Sequence, residues 1–173
     1  MKNKKITPGL KLEGQKKEKA KREYSAGGVV YKNDSNQYLW LVYQPKATET
    51  EPWRKGRWQL PKGWIDPGET SLQAAIRETG EEGGVEVEAL EKIDKITIFF
   101  YNDQKQRVVK EIVFYLMRWV KDTKTGPDSN EVEKVLWLTF DRAKAKLTFD
   151  SEKEILEKAK KISEEGNKRL RLF

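Results

Sequence analysis

The chain has 173 residues, enough for one domain with a buried core, and its hydrophobic and charged fractions are equal at 36%. Thirty-five Lys/Arg against 28 Asp/Glu give a formal charge of +7, an excess that suits phosphate-bearing ligands. With no cysteine and no histidine, the chain excludes disulfides, thiolate nucleophiles, imidazole metal sites and any histidine-based triad; a general base must be Glu, Asp, Lys or Tyr.

Residues 1–23 carry nine Lys/Arg and three Glu with few large apolar side chains, and read as a basic, mobile tail. Neither a signal-peptide core nor a run of about 18 apolar residues is present, so a soluble cytoplasmic protein with no membrane partner is expected, as a monomer or homodimer. The domain is expected over 24–165. Strands are predicted at 24–32 and 37–44, joined by the turn "NDSN" into a hairpin. Residues 45–57 form a polar loop, and "WQLPKGWIDPGE" a second irregular stretch whose Pro and Gly content opposes helix and ladder alike. A helix follows over 71–82. Thr70 and Gln73 match a capping box, Leu72, Ala75, Ile76 and Thr79 form the predicted apolar stripe, and Gly83 and Gly84 end the helix. Two long strands, 85–101 and 107–120, flank the turn "NDQKQ". A further strand at 132–138 precedes a short helix near 140–146 and a last helix at 151–165, whose core face is Ile155, Leu156, Ala159 and Ile162. Residues 166–173 read as a tail. The alternation predicts an α/β architecture, a mixed sheet with helices on both faces.

The chemistry is concentrated in residues 63–85, "GWIDPGETSLQAAIRETGEEGGV". On a helix Glu78, Glu81 and Glu82 share one flank, where three carboxylates repel one another unless a cation neutralises them. All-oxygen ligation suits magnesium or manganese rather than zinc. Gly80 inside the helix costs roughly 1 kcal/mol relative to alanine, a second departure from good helix design. The preceding "LPKG" offers backbone amides and Lys62 to phosphate oxygens.

The spacing of Gly63, Glu69, Arg77, Glu78, Glu81, Glu82, Gly84 and Val85 resembles the Nudix box, with Thr79 standing where that family has an aliphatic residue. The resemblance covers about 24–162. It implies an α/β/α sandwich whose box forms a catalytic loop–helix–loop, and a Mg2+-dependent hydrolase (Mn2+ substituting) that splits a phosphoanhydride bond in a nucleotide derivative. By the same resemblance Glu78, Glu81 and Glu82, with Gly63, hold the metal, Arg77 orients a glutamate, and Glu69 supports the metal shell. Glu78 is the candidate base. A further acid from outside the box is expected at Glu131, or alternatively at Glu111.

Tyr101, sixteen residues after Val85, resembles the base-stacking tyrosine of diadenosine tetraphosphate hydrolases, although "IFFY" is also an ordinary aromatic strand. Lys46, Arg54, Lys55 and Arg57 are candidates for a phosphate chain. The expected reaction is asymmetric hydrolysis of diadenosine tetraphosphate to ATP and AMP. The alternatives are an oxidised nucleoside triphosphate or an RNA 5′ end as substrate, and a catalytically silent nucleotide-binding or RNA-binding module.

Overall fold

The computed structural model describes residues 20–35 and 37–170. The elements run β1 (Lys21–Asp34), β2 (Gln37–Pro45), a 3-10 turn (Pro52–Arg54), β3 (Lys62–Trp64), α1 (Ser71–Gly83), β4 (Val85–Tyr101), β5 (Arg107–Asp122), β6 (Val132–Thr139), α2 (Phe140–Lys146) and α3 (Asp150–Leu170). The sheet order is β4-β5-β1-β2-β6, with β3 added against β1. Among the described residues β1 and β5 run parallel and the other pairs are antiparallel. The expected mixed sheet is present.

Strand alternation builds a core on each face. Val29, Tyr31, Trp40, Val42, Ile112, Phe114 and Leu116 meet Ile155, Leu156 and Ala159 of α3. Ala26, Val30, Leu41 and Met117 point the other way, against Ala74 and Ala75 of α1. Helices therefore cover both faces. Each fully buried aliphatic side chain in these layers contributes about 1.5–3 kcal/mol.

Four expectations need correction. The first strand starts at Lys21, not Tyr24, because Lys21–Glu23 already pair with Val108–Lys110 of β5. The rest of the expected tail, residues 1–19, lies outside the described residues, as does Asn36 of the predicted turn. The stretch taken as wholly irregular contains β3, and α3 continues to Leu170, past the expected end at 165; of the expected tail at 166–173, only 171–173 lie outside the described residues.

The fourth correction concerns α1. Its capping box forms as predicted, Gln73 N–H donating to Thr70 Oγ1 (3.2 Å) and Thr70 N–H to Gln73 Oε1 (2.9 Å), worth about 1 kcal/mol. Gly84, at φ 67°, ends it. The buried face, however, is Ala74, Ala75, Thr79, Glu82 and Gly83; Leu72 and Ile76 are 38% and 39% exposed. The helix lies too close to the sheet for large side chains: a Cβ on Gly28 of β1 would sit 2.3 Å from Thr79 Oγ1.

One irregularity positions the site. β1 and β2 pair only from Tyr31 to Asp34 and then diverge. The segment 59–64 fills the gap. Gln59 exchanges two backbone hydrogen bonds with Tyr43 of β2 (3.0 and 2.9 Å), while Gly28 of β1 donates to Pro61 O (3.0 Å) and β3 pairs with Ser25–Gly27.

Candidate active site

Above that gap lies a cavity of about 550 Å3, walled by Glu78, Glu81 and Glu82 of α1 and by Glu131 of the loop before β6. The box residues pack against one another through Arg77. Its Nε and Nη2 donate to the two oxygens of Glu69 (2.9 and 2.8 Å), a bidentate pair. Nη2 also reaches Trp64 O (2.9 Å), and Nη1 reaches Glu78 (2.7 Å) and Glu81 (3.2 Å). The hydrogen bond from Arg77 holds the Glu69 carboxyl below its usual range, and these carboxylates raise the pKa of Arg77 further. Gly63 lies directly against Glu78; a Cβ there would be 2.1 Å from Glu78 Cδ.

The three helix glutamates differ. Glu81 is exposed. Glu78 is partly buried, and burial raises its pKa against the opposing pull of Arg77. Glu82 is buried, accepting hydrogen bonds from Tyr43 OH and from Lys62 N–H (2.7 Å). Burial pushes its pKa up to about 8, despite Lys62 and the Tyr43 hydrogen bond, which lower it.

Among the described residues no three acidic groups are arranged as a closed metal cluster. Glu78 leans on Arg77 and Glu82 on Tyr43. The donor set nonetheless fits a hard divalent cation: carboxylate oxygens of Glu78, Glu81, Glu82 and Glu131 on one cavity, and a Gly63 backbone with no side chain between it and Glu78.

The residues expected from outside the box are distributed unevenly. Glu131 lines the cavity, whereas Glu111 is engaged by Lys95 (3.1 Å) and Arg22 (3.6 Å) and is not in its wall. Lys46 and Lys62 line it, but Lys46 Nζ donates to Ser129 O. Lys62 Nζ pairs with buried Glu152 (2.9 Å) and donates to Gln59 Oε1 (2.7 Å). Arg54 lines it and pairs with Glu51 (2.8 Å), while Lys55 and Arg57 lie outside the lining; Arg57 stacks between Trp53 (5.0 Å) and Phe149 (5.4 Å). Tyr101 is 73% exposed and not in the wall. It pairs across the hairpin with Arg107, three residues from the cavity-lining Lys110, so the two side chains leave opposite faces of the sheet.

Sequence reasoning missed Lys110, Tyr43, Trp53, Trp64 and Glu152. Lys110 shares strand parity with Ile112 and Phe114, which was a usable signal. The role of Glu152 depends on a contact 92 residues away in sequence, which no local pattern carries.

Residues 21–159 match the family model of the NUDIX domain. The chain belongs to the Nudix hydrolase family. A relative from Mycolicibacterium smegmatis, named 8-oxo-(d)GTP phosphatase, is 30% identical over 145 residues, 80% of this chain and 42% of its own length. The asymmetrical bis(5′-nucleosyl)-tetraphosphatase of Rattus norvegicus is 33% identical over 101 residues, 58% of this chain and 67% of that one. The chain spans less than half the length of the mycobacterial relatives it matches. Among solved structures, a Caenorhabditis elegans Ap4A hydrolase binary complex aligns with a TM-score of 0.60 at 23% identity, covering 81% of this chain and 96% of that one, a likeness of fold. No described helix is long and apolar enough to cross a membrane.

Proposed function

We propose that this Nudix chain is a divalent-metal-dependent pyrophosphohydrolase that cleaves dinucleoside polyphosphates, diadenosine tetraphosphate giving ATP and AMP. The observation that carries this reading is a cavity with four glutamates in its wall and two tryptophans, Trp53 and Trp64, each 51% exposed, also lining it. Aromatic surfaces suit bases, and the acidic wall suits a metal that meets the phosphate chain between them.

Glu78, Glu81 and Glu82, with Gly63 and Glu131, would hold magnesium, or manganese in its place. Bound there, the metal supplies neutralisation of phosphate charge and a lowered pKa for water within its reach. Glu78 takes the proton of the attacking water, and its raised pKa makes it a stronger base near neutral pH than an ordinary carboxylate. The water oxygen bonds to phosphorus as the bridging P–O bond breaks in line, and the leaving phosphate carries away the electron pair. Arg77 fixes Glu69, Glu78 and Glu81 relative to one another.

A second reading, hydrolysis of an oxidised nucleoside triphosphate, is favoured by the 8-oxo-(d)GTP phosphatase relative, which aligns over 80% of this chain. Anion-exchange product analysis separates the two. The full chain with magnesium is given diadenosine tetraphosphate, 8-oxo-dGTP, ADP-ribose and a 5′-triphosphorylated RNA. ATP plus AMP from the dinucleotide, with little turnover elsewhere, supports the leading reading, and preferential release of pyrophosphate from 8-oxo-dGTP replaces it. Glu81→Gln is expected to lose about 100-fold or more in turnover; unchanged turnover in that variant overturns the assignment of this site.

A further inference from the structure

Five cations line the catalytic cavity: Lys46, Arg54, Lys62, Arg77 and Lys110. Four already bond protein oxygens, namely Ser129 O, Glu51, Glu152 and the glutamates of the box respectively. Lys110 differs. Among the described residues its ammonium has neither a hydrogen-bond acceptor nor a carboxylate within ion-pair distance. It lies over the ring of Trp64, 4.4 Å from the centroid. Both residues are set by rigid backbone: Lys110 is mid-strand, paired on one side with Glu23 of β1 and on the other with Ile98 of β4. Trp64 pairs with Ser25, and its carbonyl accepts from Arg77.

Partial burial of this ammonium is unfavourable and holds the pKa of Lys110 below the ordinary lysine value, with Lys62 and Arg54 adding to the effect and the carboxylates of Glu23 and Glu78, neither within ion-pair distance, opposing it. A half-exposed tryptophan beside it leaves a large apolar surface in water. One ligand relieves both: an anionic phosphate next to the ammonium, joined to an aromatic base against the indole. The shared contact of Lys110 with Trp64 places these two demands within one nucleotide's reach of each other.

We propose that Lys110 and Trp64 together form the nucleotide-binding subsite of this cavity, Lys110 taking a phosphate of the chain and Trp64 stacking on the base. The subsite rests on reading the cavity as a phosphoanhydride site, and it transfers the stacking role expected of Tyr101 to Trp64.

The test is equilibrium binding, by titration calorimetry on the full chain with magnesium, of ADP and of inorganic tripolyphosphate. Trp64→Leu is expected to weaken ADP about 5- to 100-fold while leaving tripolyphosphate unchanged. Lys110→Gln is expected to weaken both about 10-fold or more, with Lys110→Arg restoring most of the loss. Tyr101→Leu is expected to bind ADP as the parent does. Wild-type affinity for ADP in Trp64→Leu, or wild-type affinity for tripolyphosphate in Lys110→Gln, overturns the subsite, as does absence of ADP binding by the parent. Far-UV circular dichroism matching the parent shows that a lost affinity is not lost folding. If the variants lose ADP as expected while no panel substrate is hydrolysed, the subsite stands and the hydrolase reading falls.

Discussion

Glu78 and Glu82 are four residues apart on one helix, yet they sit in different chemical environments. Arg77 counters the burial of Glu78, whereas Glu82 faces a phenol and an amide inside the protein. Gly63 contributes to this arrangement by having no side chain. In Gly63→Ala the three atoms nearest the new methyl all belong to the Glu78 carboxylate, the far end of a side chain, so folding should be nearly unaffected, with Tm shifted by less than about 4 °C. The carboxylate itself has to move, which is expected to lower kcat about 100-fold. Parallel melting and steady-state measurements check this; wild-type kcat in the variant would show that the position of Glu78 is not critical. Identities in the box were legible because their spacing is fixed within one short segment. Lys110 and Tyr43 were not, since each reaches the cavity only through strand pairing between distant segments.

Two helices hold the site from opposite sides of the sheet. The α1 face is built of alanine, threonine and glycine, which lets the helix approach β1 and lowers Glu82 into the gap between β1 and β2. Apolar periodicity pointed instead to Leu72 and Ile76; a stripe of large residues is the commoner helix design, and close approach selects against it here. From the other side, Glu152 of α3 accepts from Leu60 N–H (2.8 Å) and pairs with Lys62 Nζ, and Lys62 N–H in turn donates to Glu82. The charge-alternating look of that helix concealed a buried acid on its core face, one turn before Ile155 and Leu156. Glu152→Ala leaves the buried Leu60 amide without its acceptor and the part-buried Lys62 ammonium without its carboxylate, with only Gln59 Oε1 and Leu60 O still accepting from it, and is expected to cost about 2–3 kcal/mol of folding stability. Glu152→Gln keeps an acceptor for Leu60 and is expected to lose less. Urea unfolding of both variants checks the order; equal stability of Glu152→Ala and the parent would remove the clamp from the description.

At the scale of the whole molecule, folding places one titratable group where its protonation and its function conflict. The unfolded chain ionises Glu82 near the ordinary glutamate value of 4.5, but the fold raises it to about 8. The folded state therefore keeps a proton that the unfolded state has lost across that window. Stability from this group is fully present below about pH 4.5 and declines as pH rises through about 8, by about 1.4 kcal/mol per pH unit at most. Depressed acids such as Glu69 and Asp94 act in the opposite sense, but their stabilisation is gained at and below the ordinary carboxylate range and is constant above it. Subtracting Glu82→Gln from the parent therefore isolates the conflict. In chelator, the stability difference between parent and variant is expected to move in the variant's favour between pH 5.5 and 8.5. Magnesium is expected to reverse the trend in the parent alone, because a cation held by the carboxylates favours the ionised form that burial opposes. A difference that stays flat with pH, measured by urea unfolding with and without magnesium, would show that Glu82 ionises freely and that its place in the sheet gap does not control when the site can take up metal.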